Sequence, residues 1–292
     1  MDFDFLKYVD QKKSPGSNRE EKTGFGEYAF SGDIRVLRQL DRAKPVRLVA
    51  ESAVRFWKSF EKNELLGRGV RISRRQFPSL YETVLECAET LDIPPPTVYV
   101  QQNPHLNAGT YGTDEESFII ITSSLIDRFQ DAELKFVIGH ECGHIQNNHV
   151  VYRTAAEFLK SGVINLVKWA VVPATMALNA WSRRGEITCD RAGMLCAESE
   201  EAAVNAMLRL ALGSKKLFEE LDVDEYLNQL DDVQDGVGRF KEYFQSHPYL
   251  PKRIQALKLF AQSEYYRNLI GERGGKPLDE VDREIEKLVK VM

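Results

Sequence analysis

Histidine and cysteine are scarce in this chain, with five and four copies in 292 residues. Cys87, Cys142, Cys189 and Cys196 lack the dense spacing of a cross-linked secreted scaffold, which excludes that class and fits reduced thiols. The first residues lack a basic segment followed by an apolar one, so no secretory leader is expected and the cytoplasm is the expected compartment. Charge of one sign is also lacking: the net charge is −5, which gives no reason to expect nucleic acid as a partner. Long uninterrupted apolar runs are missing too. The one stretch of spanning length, residues 162–180, is broken by Asn165, Lys168, Pro173 and Asn179. It is expected to be a buried helix interrupted near Pro173, with peripheral contact to a membrane surface left open.

What remains is an ordinary globular composition, 43% hydrophobic and 28% charged. Residues 1–28 are polar and read as a loosely ordered arm; residues 29–292 read as one domain with helical segments at both ends. Apolar spacing predicts helices over 33–40 and 46–60, joined near Pro45. The arginine-rich stretch 67–77 reads as a solvated strand or loop, and Pro78 opens a helix that stops at Pro94. The β-rich runs 97–101 and 117–122 predict a small sheet.

Residues 131–152 read as one helix with a buried face and Asp131 as its N-cap. Within it stands His140-Glu141-Cys142-Gly143-His144. Side chains four apart on a helix project from one side, so His140 and His144 can reach a single zinc ion. Glu141, one residue along, would take a proton from water activated by that ion. Such a site needs a third protein ligand. Glu186 is the candidate, with Asp190, four residues on, placed to accept the second ring N–H of a histidine ligand. An exposed face paired with Arg183, Arg184 and Arg191 is the alternative for these two carboxylates. A histidine at 150 would have indicated a different ligand set, but Val150 stands there. His149 falls about 140° round the helix from His144 and is expected to cap or pack.

A helix over 199–213 ends at Gly213, and the run 219–235, with eight acidic residues and no basic one, reads as a solvated face or mobile connection. Pro251 opens a helix expected to continue to Ile270, and a last helix from Leu278 carries an apolar docking face.

Three pieces in order, His140 to His144, Glu186 to Asp190 (EITCD) and Ser246 to Ile254 (SHPYLPKRI), together resemble the zinc metallopeptidases of the CAAX-prenyl-protease and HtpX-like family. The resemblance takes in residues 98–112 and 119–127 and runs from about residue 30 to 270, closest to a soluble branch of these gluzincins. It implies an α+β, mostly helical zincin-type domain with a small sheet beside the HExxH helix. It also implies a zinc-dependent endopeptidase acting on polypeptides, in protein quality control, with a zinc-stabilised peptide-binding protein as the alternative. On this resemblance His140, His144 and Glu186 match the ligands of one zinc ion, Glu141 the general base and Asp190 the carboxylate behind a ligand. His247 matches a histidine that steadies the oxyanion, and Arg253 an arginine paired with an acidic group beneath the site. Asn107 and Ala108 match an edge strand that hydrogen-bonds an extended substrate. The chain departs from the pattern at Gly109, where an aromatic residue is common. Cys142 lies about 200° from His140 and is expected to fill core. Cys189, three residues after Glu186, could lie near the zinc, where its oxidation would be a switch.

Overall fold

The chain is described here by a computed structural model covering residues 24–57, 67–113, 116–160, 168–233 and 247–290. In order, the elements are α1 (Ser31–Leu40), α2 (Lys44–Phe56), β1 (Gly69–Arg71), α3 (Pro78–Thr90), β2 (Thr97–Gln101), β3 (Ala108–Gly112) and β4 (Ser117–Thr122). There follow α4 (Ser123–Arg128), α5 (Asp131–Gln146), α6 (Val150–Lys160), α7 (Lys168–Ala197), α8 (Glu200–Leu212), α9 (Lys215–Glu219) and α10 (Val223–Val233). The last three are α11 (Leu250–Ala261), α12 (Glu264–Leu269) and α13 (Leu278–Val289). The fold is α+β and mostly helical, with its small sheet beside the HExxH helix.

The sheet order is β1-β2-β4-β3, with β2 parallel to β4 and the other two pairings antiparallel. Alternation along β4 divides its side chains between two faces. Ile119 and Ile121 enter the main core with Val137, Ile138 and Cys142 of α5. Phe118 and Ile120 pack on the other face with Trp57, Tyr99 and Tyr111. β3 is left at an edge, next to α5 and α6.

The predicted 131–152 helix is two helices. Asn147 takes the C-cap of α5, where its side-chain amide donates to Gly143 O at 2.8 Å, and Asn148 adopts a left-handed φ of 60°. Asparagine tolerates that region because its short polar side chain offsets the cost locally. The chain therefore turns before His149, and α6 leaves in a new direction. The start also differs: Gln130 is the N-cap, and its backbone N–H donates to Glu133 Oε2 at 2.9 Å.

Two further expectations are corrected. Pro173 does not break α7; as the sixth residue of the helix it removes one backbone hydrogen bond near the N-terminus, and the thirty-residue helix runs on. The helix expected over 251–270 stops at Ala261, because Ser263 caps a new helix by accepting from the Tyr266 N–H at 3.1 Å. The acidic run holds α10 and presents a solvated face, with Glu219, Glu220, Asp222, Asp224 and Glu225 exposed, while Tyr226 and Leu227 pack against the main core and Asp222 caps the start of the helix. Residues 162–167 lie outside the described residues, as do residues 58–60 of the predicted 46–60 helix and residues 1–23 of the expected arm. Residues 24–28 are packed: Tyr28 is buried and donates to Gln146, and the Gly26 N–H donates to Asn147 Oδ1 at 3.0 Å.

A second core joins α1, α2, α6 and α7 through Leu37, Val49, Val54, Tyr152, Leu178 and Trp181. The apolar face of α13 is spent inside the molecule: Val281, Ile285 and Val289 pack with Phe30, Ile187 and Ala256. No described helix is long and apolar enough to cross a membrane.

Candidate metal centre

Helices α5 and α7 lie against each other along the whole motif, and small residues allow it. A side-chain carbon on Gly143 would stand 2.7 Å from Ala192 Cβ, and one on Gly193 would stand 2.5 Å from the Phe136 carbonyl oxygen. Only glycine permits backbones that close. The approach brings a turn of α7 over the two histidines of α5.

His140, Glu141 and His144 offer ligand atoms within 4.8 Å of one another. From α7, Glu186 Oε2 is 3.6 Å from His140 Nε2, and Glu186 Oε1 is 3.8 Å from His144 Nε2. Two ligands each about 2.0–2.1 Å from one zinc ion at a tetrahedral angle would lie about 3.3–3.4 Å apart, so the spacing of these donors fits an ion once the Arg153 guanidinium, which contacts His144 Nε2, swings aside. Two imidazole nitrogens and a carboxylate are a donor set that zinc takes. All three side chains are buried. Burial, then the charges of Arg153 and His140, hold the His144 pKa well below the ordinary imidazole value, which keeps the ring neutral and able to ligate. Burial alone would raise the Glu186 pKa, but His247 and Arg253 outweigh it and keep the carboxyl well below its usual range.

A second layer orients these groups. Asp190 Oδ1 is 3.0 Å from His140 Nδ1, which leaves Nε2 to face Glu186. Arg253 of α11 donates to both oxygens of Asp190, at 2.8 and 2.5 Å, and lies 3.1 Å from Glu186 Oε2. His247 Nδ1 is 3.1 Å from Glu186 Oε2, and its ring is half-exposed at the cleft wall. Asn107 and Ala108 lie across the cleft, where the Asn107 N–H donates to Thr122 Oγ1 at 3.0 Å and Ala108 begins β3. The cleft has a volume of about 260 Å³, room for part of a peptide rather than for a lone water.

Seven of the nine predicted site residues line this cleft, with His144 and Asp190 in contact with them from behind, and among its other lining residues are two polar groups that the sequence pattern did not single out. Thr110 of β3 donates from Oγ1 to Glu141 Oε2 at 2.6 Å and is 3.0 Å from the Glu141 carbonyl. The signal was present: Thr110 is two residues beyond Ala108, so the strand period puts both on one face. Arg153 of α6 contacts His144 Nε2 and lies 3.6 Å from Glu186 Oε1 and 4.0 Å from Glu141 Oε2. No local pattern marks it, because the turn at Asn147–Asn148 aims it.

The two cysteines part company. Cys142 is core, as expected. Cys189 Sγ lies 3.2 Å from His144 Nδ1, on the side away from Glu186, and burial, then Glu186 and Asp33, push its thiol pKa up. A buried, protonated thiol is a poor target for oxidation. The Gly109 departure also has a cause. A side-chain carbon there would stand 2.8 Å from the Tyr111 hydroxyl, so the tyrosine ring, stacked on Trp57 at 5.7 Å, covers the space an aromatic residue at 109 would fill.

Comparison with known proteins agrees with this geometry. The sequence profile of peptidase family M48 matches residues 74–261, well over half of the chain. A plastoglobule-localized metallopeptidase 48 of the Arabidopsis thaliana chloroplast is 31% identical over 219 residues, covering 71% of this chain. The chain spans 64% of that relative's length. HtpX protease homologs of Tropheryma whipplei and Streptococcus pneumoniae are each 25% identical, over 224 and 226 residues, covering 66% and 64% of this chain and 76% and 75% of their own. No solved structure matches.

Proposed function

The chain belongs to peptidase family M48, and from that premise we propose that it is a zinc-dependent endopeptidase that hydrolyses unfolded or extended polypeptide. The observation that carries the reading is the convergence of two histidine Nε2 atoms and the Glu186 carboxylate beside a carboxylate, Glu141, held by a strand residue. A zinc ion held by His140, His144 and Glu186 supplies Lewis-acid chemistry, acidifying water and polarising a carbonyl. The remaining work falls to the chain. Glu141 accepts a proton from the attacking water and passes it to the leaving amine, and the Thr110 hydroxyl keeps its carboxylate aimed while this happens. His247 donates to the oxyanion, while Asp190 and Arg253 hold the ligands in place. The edge strand at Asn107 and Ala108 offers backbone groups to a substrate lying as an added strand.

The reading takes the cytoplasm as its compartment, because Cys87, Cys142, Cys189 and Cys196 are all free and buried. It takes general polypeptide as substrate; a prenylated substrate has no separate support in this cleft.

The test pairs zinc content by mass spectrometry with cleavage of casein, for wild type and Glu141→Gln. One zinc per chain in both proteins is expected, with cleavage lost by about 100-fold or more in the variant. Equal cleavage would refute the mechanism, and zinc in both with cleavage in neither would favour the peptide-binding alternative.

A further inference from the structure

His144 turns Nε2 toward Glu186, so its Nδ1 points into the protein. There it meets His149 Nδ1 at 3.1 Å and the Cys189 thiol, a much weaker hydrogen-bonding group, at 3.2 Å. His149 Nε2 lies 3.0 Å from Asp33 Oδ2, at an oblique approach, and has no better-aligned acceptor among the described residues. His149 and Asp33 are both fully buried. Asp33, from α1, takes two further donors: Trp181 Nε1 reaches Oδ1 at 2.9 Å, and Thr188 Oγ1 reaches Oδ2 at 2.6 Å. Thr188 Oγ1 itself accepts the Phe30 N–H at 3.1 Å.

These contacts have a direction. An indole N–H can only donate, and the Thr188 hydroxyl, having accepted from Phe30, spends its proton on Asp33. The carboxylate thus accepts on every side, so the facing His149 Nε2 carries a hydrogen. A neutral imidazole protonated at Nε2 presents a lone pair at Nδ1, and that lone pair accepts the Nδ1–H of His144. His144 protonated at Nδ1 has its own lone pair at Nε2, where a ligand needs it.

We propose that Asp33 and His149 are positioning residues of the metal centre, a carboxylate–histidine relay that fixes the tautomer and ring orientation of His144. The proposal rests on the reading that this centre holds zinc. It gives His144 the counterpart of what His140 receives directly from Asp190, with one imidazole interposed. Asp33 lies outside residues 74–261, so the relay reaches beyond the stretch that the family profile matches. Helix α1 thereby acquires a functional role, since it supplies the fixed end of the relay, and Trp181 and Thr188 of α7 hold that end in place.

The test measures zinc affinity of the full chain by competition with a chelator, without any cleavage assay. Asp33→Asn, which can present an amide N–H to His149 and reverse the relay, should weaken zinc binding about 10–100-fold, as should His149→Leu. His149→Gln should stay within about threefold of wild type, because its carbonyl can accept from His144 while its amide donates to Asp33. Long-range proton–nitrogen spectra of the zinc-loaded wild type should show the hydrogen of His144 on Nδ1 and that of His149 on Nε2. Equal zinc affinity in all folded variants would overturn the proposal, as would equal losses for His149→Leu and His149→Gln. So would a second zinc equivalent held by His144, His149 and Cys189. If Asp33→Asn fails to fold, the leucine and glutamine pair decides. A wild type that binds one zinc and cuts nothing sinks the peptidase reading and leaves the relay standing, whereas a wild type that binds no zinc sinks both.

Discussion

At the scale of single residues, the cleft separates groups that carry charge from groups that aim them. Thr110 belongs to the second kind. Thr110→Val keeps its shape and removes the 2.6 Å hydrogen bond to Glu141. On the proposed mechanism, casein cleavage should fall about tenfold through kcat, with zinc content unchanged, because only Glu141 is left unaimed. Arg153 is a cation set among Glu141, Glu186 and His144. Charges of one and two units about 4 Å apart repel by several kcal/mol at an effective dielectric near 20, and swinging the guanidinium aside relieves most of that. Arg153→Gln should therefore tighten zinc binding about tenfold, read by chelator competition. The same change should lower the melting temperature of the metal-free protein, where the guanidinium offsets two neighbouring carboxylates. His140, Glu141 and His144 were legible in the sequence because helical spacing is local. Arg153 was not, because its placement depends on a two-residue turn; for Thr110 the strand period gave the face it shares with Ala108 but not the bond to Glu141, which crosses a strand-to-helix contact.

At the scale of elements, the contact of α5 with α7 makes the centre. Ligands from two helices stay within reach of one ion only while the backbones remain in close approach, and Gly193 is where that approach is tightest. Gly193→Ala puts a methyl against the Phe136 carbonyl and should cost about 2–3 kcal/mol, measured by urea unfolding of the metal-free protein. Zinc affinity should fall with it, since Glu186 rides on the displaced helix. The strands 97–101 and 117–122 were legible from their β-branched runs, and their pairing as parallel neighbours was not. The break at Asn147–Asn148 escaped notice because apolar residues continue past it at helical intervals. Pro173 misled in the other direction, since a proline early in a helix costs one hydrogen bond and need not end it.

At the scale of the whole molecule, apolar residues after Pro173 that look available for a membrane are used inside, while Val172 before it is exposed. Ala174, Leu178 and Trp181 of the 162–180 region and its sequel face α1, α2 and α6 in the second core. The protein should therefore stay at the bottom of a density gradient when mixed with liposomes, and flotation would restore the peripheral contact left open by the sequence. Arg191 and the Ser31 N–H both bind Asp282, at 2.6 and 2.9 Å, so the last helix ties α7 to α1. The two ends of the described chain thus brace the helix that carries Glu186 and Asp190.

The sequence by itself determined the chemistry on offer: a histidine pair one helical turn apart, a glutamate beside it, and a second pair of carboxylates four residues apart. Those features are local, set by residue type and the pitch of a helix. Only the tertiary structure decided which side of each histidine faces the ion and which faces the protein. That choice depends on hydrogen-bonding partners brought from residues 33, 149, 190 and 253, and no spacing along the chain encodes contacts between elements so far apart.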